Sequence, residues 1–178
     1  SSISAQFIAD LHRRFPHFRY VKLEEPLLAA KIEAVREATN GEVGVIEGWG
    51  GMYILELIPA GSCGVMPSLG LVDLLARIYR LLKERRMAEA YEIFQGVLPQ
   101  IVYSLYNMEL YHHAEKRLLE DRGVLRTAAV RSAGWPLEVR EANHVRFLNS
   151  RVLALLDRLG MPWNPAGKKA SDRSAPAT

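Results

Sequence analysis

The stretch YVKLEEPLLAAKIEAVREATNGEVGVIEGWGG, residues 20–51, decides how the chain folds. Tyr20-Val21-Lys22-Leu23 is short and apolar apart from its lysine, the composition of a strand rather than a helix. Two acids and Pro26 then form a helix start, and Leu28, Ile32 and Val35 continue at helical spacing as far as Gly41. Val43-Gly44-Val45-Ile46 reads as a second, buried strand, and Glu47-Gly48-Trp49-Gly50-Gly51 as the loop that follows it.

The alternation continues downstream. Met52 to Ala60 reads as a short helix stopped by Gly61, Gly64-Val65-Met66 as a brief strand, and Pro67-Ser68-Leu69-Gly70 as a turn. Val72, Leu75, Ile78 and Leu82 form the inward stripe of the next helix. Three strand–helix units at spacings of about twenty residues predict a parallel sheet covered by helices. Ahead of them Ile3, Phe7, Ile8 and Leu11 predict an amphipathic helix over Ile3 to Arg14. Beyond Arg86 the pattern is helical: Met87 to Leu105 with a kink near Pro99, Met108 to Arg122 closed by Gly123, and Pro136 to Leu159 closed by Gly160. The reading divides the chain into an α/β part over 1–86, a helical appendage over 87–163 and a tail over 164–178. The tail is rich in Pro, Ala, Ser, Lys and Gly and predicts disorder. Three parallel strands leave two unpaired edges, so a covering segment is expected from another chain or from upstream sequence.

Composition narrows the function. The 178 residues are 49% hydrophobic, enough for a packed core. The longest charge-free run, Leu57 to Val72, is broken by Pro59, Gly61, Gly64, Pro67 and Gly70, and falls short of the roughly 18 apolar residues of a membrane span. The chain opens Ser1-Ser2 without a secretory signal pattern, which predicts a cytoplasmic protein trimmed at its start. One cysteine, Cys63, excludes an internal disulfide framework. The five histidines lack metal-ligand spacing, so no metal site is expected. The net charge of +3 is small and its cations alternate with acids, as in Lys83-Glu84-Arg85-Arg86, which argues against a nucleic-acid partner.

Lys22 is the residue whose type disagrees most with its surroundings. A strand-end lysine that snorkels to water is the ordinary reading. The chemical reading is a nucleophile: desolvation in a parallel sheet frees the neutral amine that attacks a ketone to form an imine, and the imine stabilises a neighbouring carbanion. Two-residue alternation puts Glu24 on Lys22's side and Glu25 on the other, and an ionised Glu24 would hold the proton on Lys22. The loop from Glu47 to Gly51 lacks the full G-x-G-x-x-G of a dinucleotide site. Its glycines predict a close backbone approach to a small substrate, with anion or nucleotide binding as a weaker alternative. Glu47 is either a solvated loop acid or a polar ligand there. Tyr103, Tyr106 and Tyr111, and Trp135 before Pro136, predict packing rather than a site.

Taken in order, these segments resemble the later barrel strands of the dihydrodipicolinate synthase and N-acetylneuraminate lyase family. Tyr20 to Glu25 resembles the strand bearing that family's Schiff-base lysine. Val45 to Gly51 resembles the next strand and its substrate loop, and Gly61-Ser62-Cys63-Gly64-Val65-Met66-Pro67-Ser68 the last barrel strand. Glu115 to Leu125 and Val130-Arg131 resemble the C-terminal helical region.

The resemblance implies the last three units of a TIM (β/α)8 barrel followed by a C-terminal helical appendage. It makes Lys22 the imine-forming lysine of a class I aldolase-type lyase acting on a pyruvate-like 2-keto acid, and gives Gly48 and Met66 the shaping of the substrate pocket. It implies no cofactor, a homo-oligomer, and a missing N-terminal barrel half. That half would carry the family's five earlier strands, its paired threonines and its relay tyrosine, none of which is matched here. The loop after Ile46 also lacks the acid pair of dihydrodipicolinate synthase, which points to another substrate. The alternative is a non-catalytic truncated relative that serves as an assembly or binding module.

Overall fold

The computed structural model describes residues 2–131 and 134–163, in two compact units, Ser1–Gln95 and Gly96–Thr178. The expected tail over 164–178 lies outside the described residues.

In the first unit the order is α1 (Ala5–Arg14), β1 (Tyr20–Leu23), α2 (Leu28–Ala38), β2 (Gly44–Glu47), α3 (Ile54–Leu57), β3 (Gly64–Val65), a 3-10 turn (Leu69–Leu71) and α4 (Val72–Lys83). The strands form one parallel sheet in the order β1-β2-β3. Tyr20, Val21, Lys22 and Leu23 stand beside Gly44, Val45, Ile46 and Glu47, while Ile46 and Glu47 stand beside Gly64 and Val65. Consecutive parallel strands require a crossover between them, and α2 and α3 supply the two.

Alternation gives this sheet two unlike faces. Leu23 and Val45 are buried with Ile8, Leu28, Ile32, Val35, Val43 and Leu57 in one cluster, the helix-covered side. Tyr20 and Lys22 on the other side are exposed, and Gly44 and Ile46 half-buried. In α4 the buried stripe is Leu74, Leu75, Ile78, Leu81 and Leu82. Val72, expected inward, is half exposed at the first residue of that helix.

Three local expectations differ from the structure. In α1 Ile8 is buried as expected, but the small Ala9 is buried beside it, whereas Phe7, and Ile3 ahead of the helix, are exposed. The stripe Ala5-Ile8-Ala9-His12 lets α1 lie close to α2, and Ser4 caps it by accepting from the Phe7 N–H at 3.1 Å. The second helix begins at Leu28 rather than at Pro26, because Leu27 adopts a left-handed conformation, φ 54°, that stops helical hydrogen bonding before it. Glu47, read as the first loop residue, is the last residue of β2.

The second unit is helical. α5 (Met87–Ser104) crosses the division at Gln95 and continues through Pro99 as one helix; α6 (Met108–Asp121) and α7 (Val139–Arg158) follow. Asn107 caps α6 by accepting from Glu109 and Leu110 N–H groups. Leu110, Ala114 and Val145 form a small core, with Tyr103, Trp135 and Leu137 packed on it. Tyr103 meets the His144 ring edge-on at 4.4 Å, as expected of a packing residue. Tyr106, at 81% exposure, lies outside that core.

No helix among the described residues is long and apolar enough to cross a membrane. Ile32 is fully buried on the sheet side of α2, so Ile32→Ala should cost about 3 kcal/mol in denaturant unfolding, whereas Glu33→Ala on its exposed side should stay within about 0.5 kcal/mol. Equal losses would contradict the layer assignment.

Candidate active site

The ladder brings the three sequence-selected residues to one end of the sheet. Lys22 is the third residue of β1 and sits beside Ile46. Gly48 directly follows β2 and donates its N–H to Leu23 O at 2.9 Å. Met66 directly follows β3 and donates its N–H to Glu47 O at 2.9 Å. By alternation Lys22, Ile46, Gly48, Gly64 and Met66 share the open face, at the carboxyl ends of their strands, where parallel α/β folds bind ligands. Met66 is 49% exposed there.

The Lys22 Nζ forms an ion pair with Glu24, the same-side neighbour that alternation identified. Lys22 reaches water, as the ordinary reading has it, and lacks the desolvation that the chemical reading called for: its side chain is 41% accessible. The reason is geometric, since the described helices cover the other face of the sheet and leave this one to solvent. The lack of a Cβ at Gly48 makes room for Glu24, because one added there would stand 2.2 Å from Glu24 Cγ. Two pleat repeats earlier, Gly44 likewise leaves room for Tyr20 and Cys63, where a Cβ would meet Tyr20 and the Cys63 Sγ at 2.8 Å.

Glu47 corrects both sequence readings of that residue, for it is neither solvated nor aimed at the Lys22 face. It is 0% exposed and shares the helix-covered side with Leu23 and Val65. Its Oε2 accepts the Gly51 N–H at 2.8 Å, and its Oε1 accepts the Tyr53 N–H at 3.5 Å. The loop amides that an anion would use are thus taken by the chain's own carboxylate, which removes the dinucleotide-loop reading. An acid ending an apolar strand before a glycine cluster was the available signal for this arrangement.

Among the described residues no three His, Cys, Asp or Glu side chains gather as metal ligands. The sole cysteine, Cys63, is free, and burial pushes its thiol above the usual range.

A small parallel sheet with its helices on one side is the arrangement of part of a TIM barrel, and in fold the chain is similar to dihydrodipicolinate synthases. The chain shares this fold with dihydrodipicolinate synthase from Rhodopseudomonas palustris, at a TM-score of 0.76 and 23% identity over 84% of this chain and 50% of that one. It shares it with 4-hydroxy-tetrahydrodipicolinate synthase from Methylacidiphilum fumariolicum SolV at 0.74 and 19%, over 91% and 53%. Dihydrodipicolinate synthase from Oceanobacillus iheyensis gives 0.65 and 14%, over 86% and 61%. Among curated proteins the chain is 29% identical over 126 residues to L-2-keto-3-deoxyarabonate dehydratase from Azospirillum brasilense, covering 70% of this chain and 40% of that protein. No family model matches the sequence. The resemblance read from the strand motifs therefore holds at the level of fold, and the chain spans about half the length of these relatives.

Burial is the largest influence on Glu47 and pushes its carboxyl above the usual range; the Gly51 and Tyr53 amides oppose it, and the Glu24 charge adds to it. A carboxyl raised on folding stabilises the fold most when neutral. Its contribution is complete below the unfolded value of about 4.3 and is lost as pH rises through the folded one. Glu47→Gln, neutral throughout, should therefore gain in melting temperature on the wild type as pH rises from about 5 to 8. Parallel curves would show that the carboxyl does not titrate from this buried position.

Proposed function

We propose that the chain forms the last three strand–helix units of a (β/α)8 barrel and carries the nucleophile of a Schiff-base lyase or dehydratase for a pyruvate-like 2-keto acid. The observation that carries the reading is Lys22 on the open sheet face at the strand ends, its Nζ paired to Glu24 with Gly48 alongside.

The chemistry follows from those groups. The Lys22 Nζ, once it has released a proton to water, attacks the C2 carbonyl carbon, whose oxygen picks up a proton to give a carbinolamine. Loss of water leaves a protonated imine. Glu24 is placed to take a proton from C3, and the electron pair left behind is delocalised into the imine. Expulsion of a β-hydroxyl as water then completes a dehydration, whereas cleavage of the C3–C4 bond with deprotonation of the C4 hydroxyl completes a retro-aldol step. Hydrolysis releases the product and restores the amine. The imine is itself the electron sink, so the route calls for no metal or organic cofactor. The curated relative's name gives the dehydration branch its support. Carboxylate binding falls to upstream strands, which a protein twice this length would contain.

The exposure of the Lys22 face and the half-length match favour one second reading, a truncated relative serving as an assembly module. Borohydride reduction with pyruvate separates the two. Peptide mapping should find N-carboxyethyl lysine at Lys22, Lys22→Ala should abolish it without loss of fold, and Glu24→Gln should keep imine formation while slowing turnover about a hundredfold. An unmodified, normally associating chain would favour the module.

A further inference from the structure

Glu47 is a fully buried carboxylate to which this mechanism assigns nothing. An acid in that position needs a reason, because leaving a charge under a sheet is costly and an apolar side chain would continue the strand's pattern. The loop above supplies it. Gly50 and Gly51 both hold positive φ, 69° and 91°, which turns the loop back over the strand end so that the Gly51 and Tyr53 N–H groups face the carboxylate, a backbone concavity of the kind that binds anions. Those amides find no strand partner, and the carboxylate fills the concavity from beneath, accepting from Gly51 and Tyr53. The same residue ties the strand ends together through its backbone. Its carbonyl accepts the Met66 N–H, and the next residue, Gly48, donates to Leu23 O, next to Lys22 in the chain. Gly48 in turn is the surface against which Glu24 rests.

We propose that Glu47 is a positioning residue of the Lys22 site: it anchors the loop over Gly48–Tyr53 from the helix side of the sheet, so that Gly48 keeps Glu24 against the Lys22 amine on the other side. This rests on the Schiff-base reading of Lys22. The carboxylate touches no substrate and acts through the backbone it holds. The charged group that acts on Glu47 is Glu24, from the end of β1, and its repulsion adds to the bias of burial towards the neutral form. Either protonation state keeps an acceptor for the Gly51 N–H, so the anchor works across the pH range, while an apolar replacement removes it.

The test uses the full chain and two readouts: hydrogen exchange at the Gly51 and Tyr53 amides, and the rate of borohydride trapping with pyruvate at Lys22. Glu47→Ala should lower the Gly51 protection about tenfold and slow trapping by a similar factor, the size expected for one buried hydrogen bond. Glu47→Gln, whose amide oxygen still accepts, should hold both within about threefold of the wild type. Should the alanine variant fail to fold, Glu47→Asp, one methylene short of the Gly51 amide, should show the same paired loss. Unchanged Gly51 exchange in the alanine or aspartate variant would overturn the anchor. A loosened loop with unchanged trapping would overturn the positioning role and leave Lys22 as nucleophile. A wild-type chain that yields no adduct overturns the Schiff-base reading and the positioning role together.

Discussion

The register of β1 on β2 is the constraint from which the site follows. With Lys22 beside Ile46 and Leu23 beside Glu47, every second residue is committed to the helix-covered side and its neighbours to the open side. A slip of one residue would turn Lys22 into the apolar cluster around Ile32 and Val35 and bring Leu23 out to solvent. Burial of Leu23 and Val45 against the helices therefore fixes the direction of a lysine that lies outside that cluster. The short β3 extends the arrangement by a single pair of residues, and that suffices to align Met66 with Gly48 across the strand ends.

Charge is distributed between the two faces in a way that hydrophobic burial alone would not produce. On the open side Lys22 and Glu24 form an ion pair within reach of water, an arrangement that contributes little to stability. On the covered side Glu47 is held by backbone amides alone. Two carboxylates one position apart in register thus differ in environment, one solvated and salt-linked, the other buried and raised, which suits the separate tasks proposed for them.

Much of this was legible in the sequence because it depends on period. The apolar runs around Val21 and Val45, the glycines that close the helices and the alternation that pairs Lys22 with Glu24 all follow from spacing. Other features depend on contacts that spacing does not encode. The inward choice of Ala5 and Ala9 over Ile3 and Phe7 in α1 reflects close packing of helices, which rewards small residues. The turn at Leu27 is a left-handed conformation that a leucine does not announce. Glu47 was misread because an acid beside four glycine-rich positions suggests a solvated loop, while its role lies in amides that only a folded loop turns toward it. The wet environment of Lys22 reflects the uncovered face of a sheet that spans about half the length of its structural relatives.

The central claim is that the open face at the strand ends is where a keto acid is held on Lys22. A crystal structure of the pyruvate adduct after borohydride reduction tests it directly. The account predicts continuous density from the Lys22 Nζ to the reduced carbon, with the adduct lying across Gly48 towards Met66 and Glu24 within hydrogen-bonding distance of the secondary amine. Modification of Lys31, Lys83 or Lys116 in place of Lys22, or an adduct directed away from the Gly48 and Met66 strand ends, would contradict it.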